Sequence, residues 1–309
     1  MSDLDLRSID GVAHVETLRG AASEPHGHAD LLIEVPHGAD RRAHYDAMKA
    51  RMQGAMPAGL HDFFYVNTDV GAWQLARATA EQLVALEPTR SVRLIRCLIP
   101  RTFIDTNRRP GVDGGDLSKG AMTPGLQPYI HHPADQQLLR ELHGRYTALV
   151  SEAMEAVCGR GGLAFLPHTY GPVTMGIDRI DDDIVDKLHW AMAPERAGTW
   201  PVRPEVDLIH TTHAGESLAP PGMIADLGQR LEALGIEVAN GKSYYLHAAS
   251  MGFVWCDRYP GQVLTLEVRR DLLVTAYEPF AELTCDPEAV ARFARPIAAS
   301  LVAALPARP

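Results

Sequence analysis

The sequence predicts a layered α/β fold, and three observations support it. Short apolar runs of strand length alternate with longer stretches of helical periodicity. The runs are apolar at nearly every residue, as strands buried on both faces of a sheet are. Side chains able to do chemistry follow these runs or end them, where open α/β sheets form their ligand crevice.

In chain order the apolar runs are LLIEV (31–35), VRLIRCLI (92–99), LAFLP (163–167), VDLIHTT (206–212) and VLTLEV (263–268). Helical patterns lie between them: GAWQLARATAEQLVALE from 71, ADQQLLRELHGRYTALVSEAMEAV from 134 and PGMIADLGQRLEALG from 221. The last begins after Pro220 and stops at Gly235, a residue suited to the left-handed position that ends a helix. Residues 20–28 and 194–205 are loop-like, yet neither is long enough to separate domains, so one catalytic domain spanning 1–309 is expected. The Gly- and Pro-rich stretch 105–133 has little periodicity and reads as a long loop, either a functional cover or binding loop or a plainly disordered segment.

Composition excludes several function classes. A formal charge of -10 disfavours nucleic acid, whose binding rests on clustered Lys and Arg. No apolar run approaches the roughly 20 residues of a membrane helix. The opening MSDLDLRSIDG lacks a basic and then apolar leader, so the cytoplasm is the expected compartment. Cys97, Cys158, Cys256 and Cys285 form no CxxC, which removes thiolate zinc and redox signatures.

The first run ends in PHGAD (36–40). His37 and Asp40 stand three apart, so one helical turn would converge them on a metal ion, and imidazole and carboxylate both ligate zinc. A catalytic zinc takes three protein ligands and a water, which leaves one ligand to find. His168 in LPHTYG repeats the Pro-His junction. Its serious rival is the pair His210 and His213 in HTTH, which also ends a strand; His26, His28, His131 and His132 sit in less suitable places.

Two further groups follow strands. In DTNRR (105–109), Arg108 can fork onto a carboxylate and Asn107 can donate from its amide, which suits a carboxylate-bearing small molecule; a solvated basic loop with Arg101 and Arg109 is the alternative. In VLTLEVRR, Thr265, Glu267 and Arg269 share one face while Leu264, Leu266 and Val268 share the other. Glu267 is therefore either paired with an arginine or a general base.

Taken in order, VPHGAD (35–40), IDTNRR (104–109), LPHTYG (166–171), GIEVANGKSYY (235–245) and TLEVRRDLL (265–273) resemble the N-formylglutamate amidohydrolase family, itself similar to zinc carboxypeptidases and to aspartoacylase and succinylglutamate desuccinylase. The resemblance implies a three-layer α/β/α sandwich with a mixed central sheet. It implies Zn²⁺ held by His37, Asp40 and His168, substrate carboxylate binding by Asn107 and Arg108, and Glu267 as general base in hydrolysis of an N-acyl amino acid. Thr169 and Tyr170 depart from the family's usual His-Ser-Met-like continuation, and YYLHAAS replaces a Gly-rich segment; both departures bear on the substrate, and they leave open a peptidase or amide hydrolase for a bulkier peptide or natural product that Tyr170, Tyr244 and Tyr245 could line, or a non-catalytic binding protein of the same fold.

Overall fold

The computed structural model describes residues 6–115, 117 and 121–307. Its framework is a seven-stranded mixed sheet of β1 (Ala13–Arg19), β2 (Leu31–Val35), β3 (Ser91–Cys97), β4 (Leu163–Tyr170), β5 (Val206–Leu208), β6 (Val238–Asn240) and β7 (Val263–Arg269). The spatial order is β1-β3-β2-β4-β7-β5-β6. The central strands β3, β2, β4 and β7 are parallel, whereas β1 runs antiparallel to β3 and β5 antiparallel to β7. Every residue of β2 and β4 is buried, which is why LLI and LAFLP read as unbroken apolar runs, with Glu34 and His168 as the buried ionisable exceptions.

Helices cover both faces. On one side α3 (Ala72–Leu86), α7 (Met223–Glu232) and α9 (Pro287–Ala304) bury Leu31, Ile33, Phe165, Leu264 and Leu266. On the other, α1 (Arg42–Lys49), α2 (Leu60–Asn67), α4 (Pro133–Val157), α5 (Ile184–Ala191) and α8 (Met251–Arg258) pack on Leu32, Ile95, Ala164 and Leu166, with the short α6 (Pro194–Ala197) following α5. The architecture is the three-layer α/β/α sandwich. No helix among the described residues is long and apolar enough to cross a membrane. The four cysteines are free thiols, three of them buried.

Local chemistry explains the boundaries. Pro133 opens α4, where its missing N–H costs nothing, and Gly235 at φ 70° turns the chain out after α7. Asp286 caps α9 by accepting from the N–H groups of Glu288 and Ala289, and Pro287 stands in the first turn. Two strands differ from expectation. The VDLIHTT run is strand only to Leu208, and β4 continues past Pro167 through His168 to Tyr170. Beyond Phe165 that extension pairs only with β7, because β2 pairs with β4 only through Ile33↔Phe165 and then ends at Val35. The sheet therefore opens at the carboxyl ends of β2 and β4, and the chain leaving β2 turns into the gap.

Candidate metal centre

Three buried side chains meet in that gap. His37 comes from the turn after β2, Asp69 from the link between α2 and α3, and His168 from the extension of β4. Nδ1 of His37 and Nδ1 of His168 lie 3.1 and 3.0 Å from the same oxygen, Oδ2 of Asp69. The rings stand edge to face at 5.2 Å, and one ligand atom from each residue lies within 4.8 Å of the others.

The link carrying Asp69 is fastened to both histidine-bearing segments. Thr68 donates from Oγ1 to the carbonyl of Ala39, and Thr169 donates from Oγ1 to the carbonyl of Val70, at 3.0 and 2.8 Å. The Thr169 N–H also points at Asp69 Oδ2. Behind His37, Nε2 meets Oδ1 of Asp105 at 2.7 Å. A carboxylate taking the far N–H fixes the tautomer and leaves Nδ1 as the ligating nitrogen, the usual support of a metal-bound histidine. Asp105 is in turn held by Arg101 at 2.9 Å.

The electrostatics favour a cation. Burial pushes the Asp69 carboxyl up, but the charges and hydrogen bonds of His37 and His168 outweigh it and hold the group far below the usual carboxylate range. Burial likewise pushes Asp105 up, and Arg101, Arg108 and His37 reverse that and keep it ionised. Burial lowers His168, yet its bond to Asp69 outweighs this and raises it. Two imidazoles and a carboxylate, all dry and all aimed at one point, are a donor set that fits a zinc-like divalent ion.

Asp40, expected among the ligands, stands outside this group. Its Oδ1 lies 2.6 Å from Nη2 of Arg96, whose Nε donates to the carbonyl of Gly38. PHGAD does not make the helical turn that would align positions 37 and 40, because α1 starts only at Arg42. The backbone is instead pressed onto β3: a Cβ on Gly38 would sit 2.5 Å from Cγ of Arg96 and 3.0 Å from the carbonyl oxygen of Cys97. The rival histidines are elsewhere, His210 bonded to Ser217 and the exposed His213 against Tyr245 at 5.3 Å. His131 faces Asp182 and His28 faces Arg160. Asp69 was illegible in the sequence; its only sign is an acidic residue in the short NTDVG link just before α3.

Glu267 lies beside the cluster, opposite His168 in the β4–β7 register. Alternation holds: Leu264, Leu266 and Val268 enter the α3–α7–α9 core, while Thr265 and Glu267 line a cavity on the other face. The arginine that might have paired with it does not, since Arg269 binds Asp271 at 2.9 Å. Oε2 of Glu267 is buried without a hydrogen-bond partner among the described residues. Burial first, with the neighbouring Asp69 charge, pushes its carboxyl up to about 7 against the pull of His168, Arg203 and Arg101.

The cavity measures about 600 Å³ and reaches His37, His168 and Glu267 at its floor. Asn107 and Arg108 line it as well. Oδ1 of Asn107 accepts from the N–H of Gly252, which fixes the amide orientation. Arg108 is neither a solvated loop residue nor an idle fork: it is buried, donates to the Thr123 carbonyl and hydroxyl and to the Asn107 carbonyl, and lies 3.4 Å from Asp105. The described part of the 105–133 loop is thus a cavity wall clamped by Arg108.

No family model and no curated protein matches the sequence. Among solved structures, the chain is similar to an N-formylglutamate amidohydrolase from Ralstonia eutropha JMP134, with a TM-score of 0.54 and 17% identity over 95% of this chain and 96% of that one. The fold is shared. A gene product, Atu2144, from Agrobacterium tumefaciens follows at TM-score 0.49 and 16% identity over 95% and 94% of the two chains. A metallo-carboxypeptidase from Burkholderia cenocepacia matches at 0.37 and 11%, over 94% of this chain and 61% of that one.

Proposed function

We propose that the protein is a metal-dependent amidohydrolase that cleaves the amide of an N-acyl amino acid, with zinc held by His37, Asp69 and His168. One observation carries the reading: an unpartnered buried carboxylate oxygen of Glu267 stands beside a buried His-Asp-His set at the open end of the sheet. A stranded carboxylate costs stability, and such a cost persists where a reaction uses it.

A divalent ion at this set would supply a Lewis acid for the acyl carbonyl and an acidified water. Glu267 is raised towards neutrality, so Oε2 can accept a proton near neutral pH and return it to the leaving amine. Asp105 holds the Nε2 proton of His37 and so keeps that ring facing Asp69. Asn107 offers a preset amide donor on the cavity wall, and Arg108 serves the substrate through the wall it clamps. The fold shared with an N-formylglutamate amidohydrolase supports a linear amide as the bond cleaved.

The test is hydrolysis of N-acyl amino acids by protein loaded with zinc, stripped with EDTA and reloaded. Activity should follow bound zinc, with one ion per chain. Hydrolysis that persists in metal-free protein, or loaded protein inert to the whole panel, refutes the proposal.

A further inference from the structure

The cavity above the cluster is much larger than a formyl group and a short acid side chain need. At about 600 Å³ it falls among sites for drug-sized ligands, roughly 300–1,000 Å³, whereas N-formyl-glutamate has only about a dozen non-hydrogen atoms. One side of it is apolar: Phe63 of α2, Met122 of the 105–133 loop, Met175 and Ile177 after β4, and Ile184 and Leu188 of α5. Met122, Met175 and Ile177 keep partly exposed apolar surface there, with the buried Phe63, Ile184 and Leu188 behind them, and such a wall favours a ligand that covers it with hydrocarbon.

The cavity's cations can be sorted by what they already hold. Arg101 donates from Nε to Asp105 and lies 3.8 Å from Asp69, Arg108 is bonded to Thr123 and Asn107 and lies 3.4 Å from Asp105, and Arg270 is bonded to the carbonyls of Val66 and Thr169, so the first two are paired with carboxylates and the third with backbone. Arg203 differs. Its Nε donates to Thr174 Oγ1, and its guanidinium lies 5.1 Å from the Tyr170 ring centre and 5.6 Å from that of Tyr244. Its two terminal nitrogens meet no acceptor among the described residues. A guanidinium set by two aromatic rings, with its fork free, is prepared for a carboxylate. Tyr170 ends β4 two residues after His168, which puts this fork on the same wall as the cluster.

We propose that the amide accepted by this site carries a carboxylate bound by Arg203 and a bulky apolar group, of medium-chain acyl or aromatic size, seated against the wall of Met122, Met175 and Ile177. The inference rests on the amidohydrolase reading only for the word substrate; the ligand class stands on the cavity itself.

Calorimetric binding to EDTA-treated protein tests it without turnover, using N-octanoyl-glycine, N-formyl-phenylalanine, N-formyl-glutamate and the neutral octanoyl-glycinamide. At least one of the two apolar acids should bind tenfold or more tighter than N-formyl-glutamate; if neither does, the apolar assignment is overturned. Arg203→Gln should weaken the tighter acid about tenfold while octanoyl-glycinamide changes less than twofold. Equal losses for both, or none, overturn Arg203 as the anchor. Turnover by the zinc-loaded protein is read separately: apolar preference without turnover supports the ligand class and overturns only the hydrolase reading.

Discussion

Exchanging the two candidate carboxylates separates the geometry of this centre from the pattern in the sequence. In Asp69→Asn the carboxylate between the histidines becomes a neutral amide, a poor zinc ligand. Losing a supporting carboxylate costs roughly 10- to 100-fold in metal affinity, so losing one in contact should cost at least about 100-fold. Asp40→Asn should leave zinc affinity within a few-fold and act on stability instead. The Asp40–Arg96 pair, at 2.6 Å, joins a buried carboxylate to a guanidinium whose side chain is 16% exposed. Breaking a fully buried pair costs about 3–5 kcal/mol and an exposed one about 0–1, and Arg96 keeps its bond to Gly38 and its place over Trp73. A loss of about 2 kcal/mol follows, or roughly 3 °C in Tm for a chain of this size. Zinc content after dialysis against a competing chelator, with a melt of each protein, reads both effects. Zinc lost from Asp40→Asn and retained by Asp69→Asn would refute the assignment.

Glu267→Gln should keep zinc and melt no lower than the wild type, because it removes an unpartnered buried charge, while kcat falls about 10²- to 10⁴-fold; a destabilised variant with near-normal turnover would end the general-base role. Arg108→Ala leaves Asp105 with one guanidinium fewer and frees Thr123, so urea unfolding should show a loss of about 3 kcal/mol, partly recovered by Lys. A raised KM with unchanged stability would instead make Arg108 a direct carboxylate binder. Glu34 on β2 is raised by burial, opposed by its hydrogen bond from Tyr146, so its folded pKa lies above its unfolded one and stability falls as pH rises from about 4.5 towards the raised value. Glu34→Gln removes that slope: the metal-free variant should gain on the wild type between pH 5 and 8 in urea midpoints, and an equal difference at both pH values would contradict it.

The central strands were legible because sheet burial on both faces leaves its record residue by residue, as in LLIEV and LAFLP. The edges were not. In β1, AHVETLR is only half-buried on an outer strand and mixes polar with apolar residues, and β6 is three residues long. α9 was overlooked although Asp286 and Pro287 announce its start; Pro296 inside it argues against a helix, and packing against α3 and α7 overrides that cost.

Within the site, legibility followed distance along the chain from a strand. His37 and Glu267 stood out because strand alternation and strand ends are local properties. His168 lies inside β4 rather than after it, and the early end of β2 leaves its side of the strand open to the gap. Asp69 depends on events remote in sequence: Thr68 bonding to the turn after β2 and Thr169 bonding back from β4 place it between the two histidines. A three-residue spacing can suggest a ligand pair only if the backbone coils there, and Gly38 lets it lie flat on β3 instead, which sends Asp40 to Arg96.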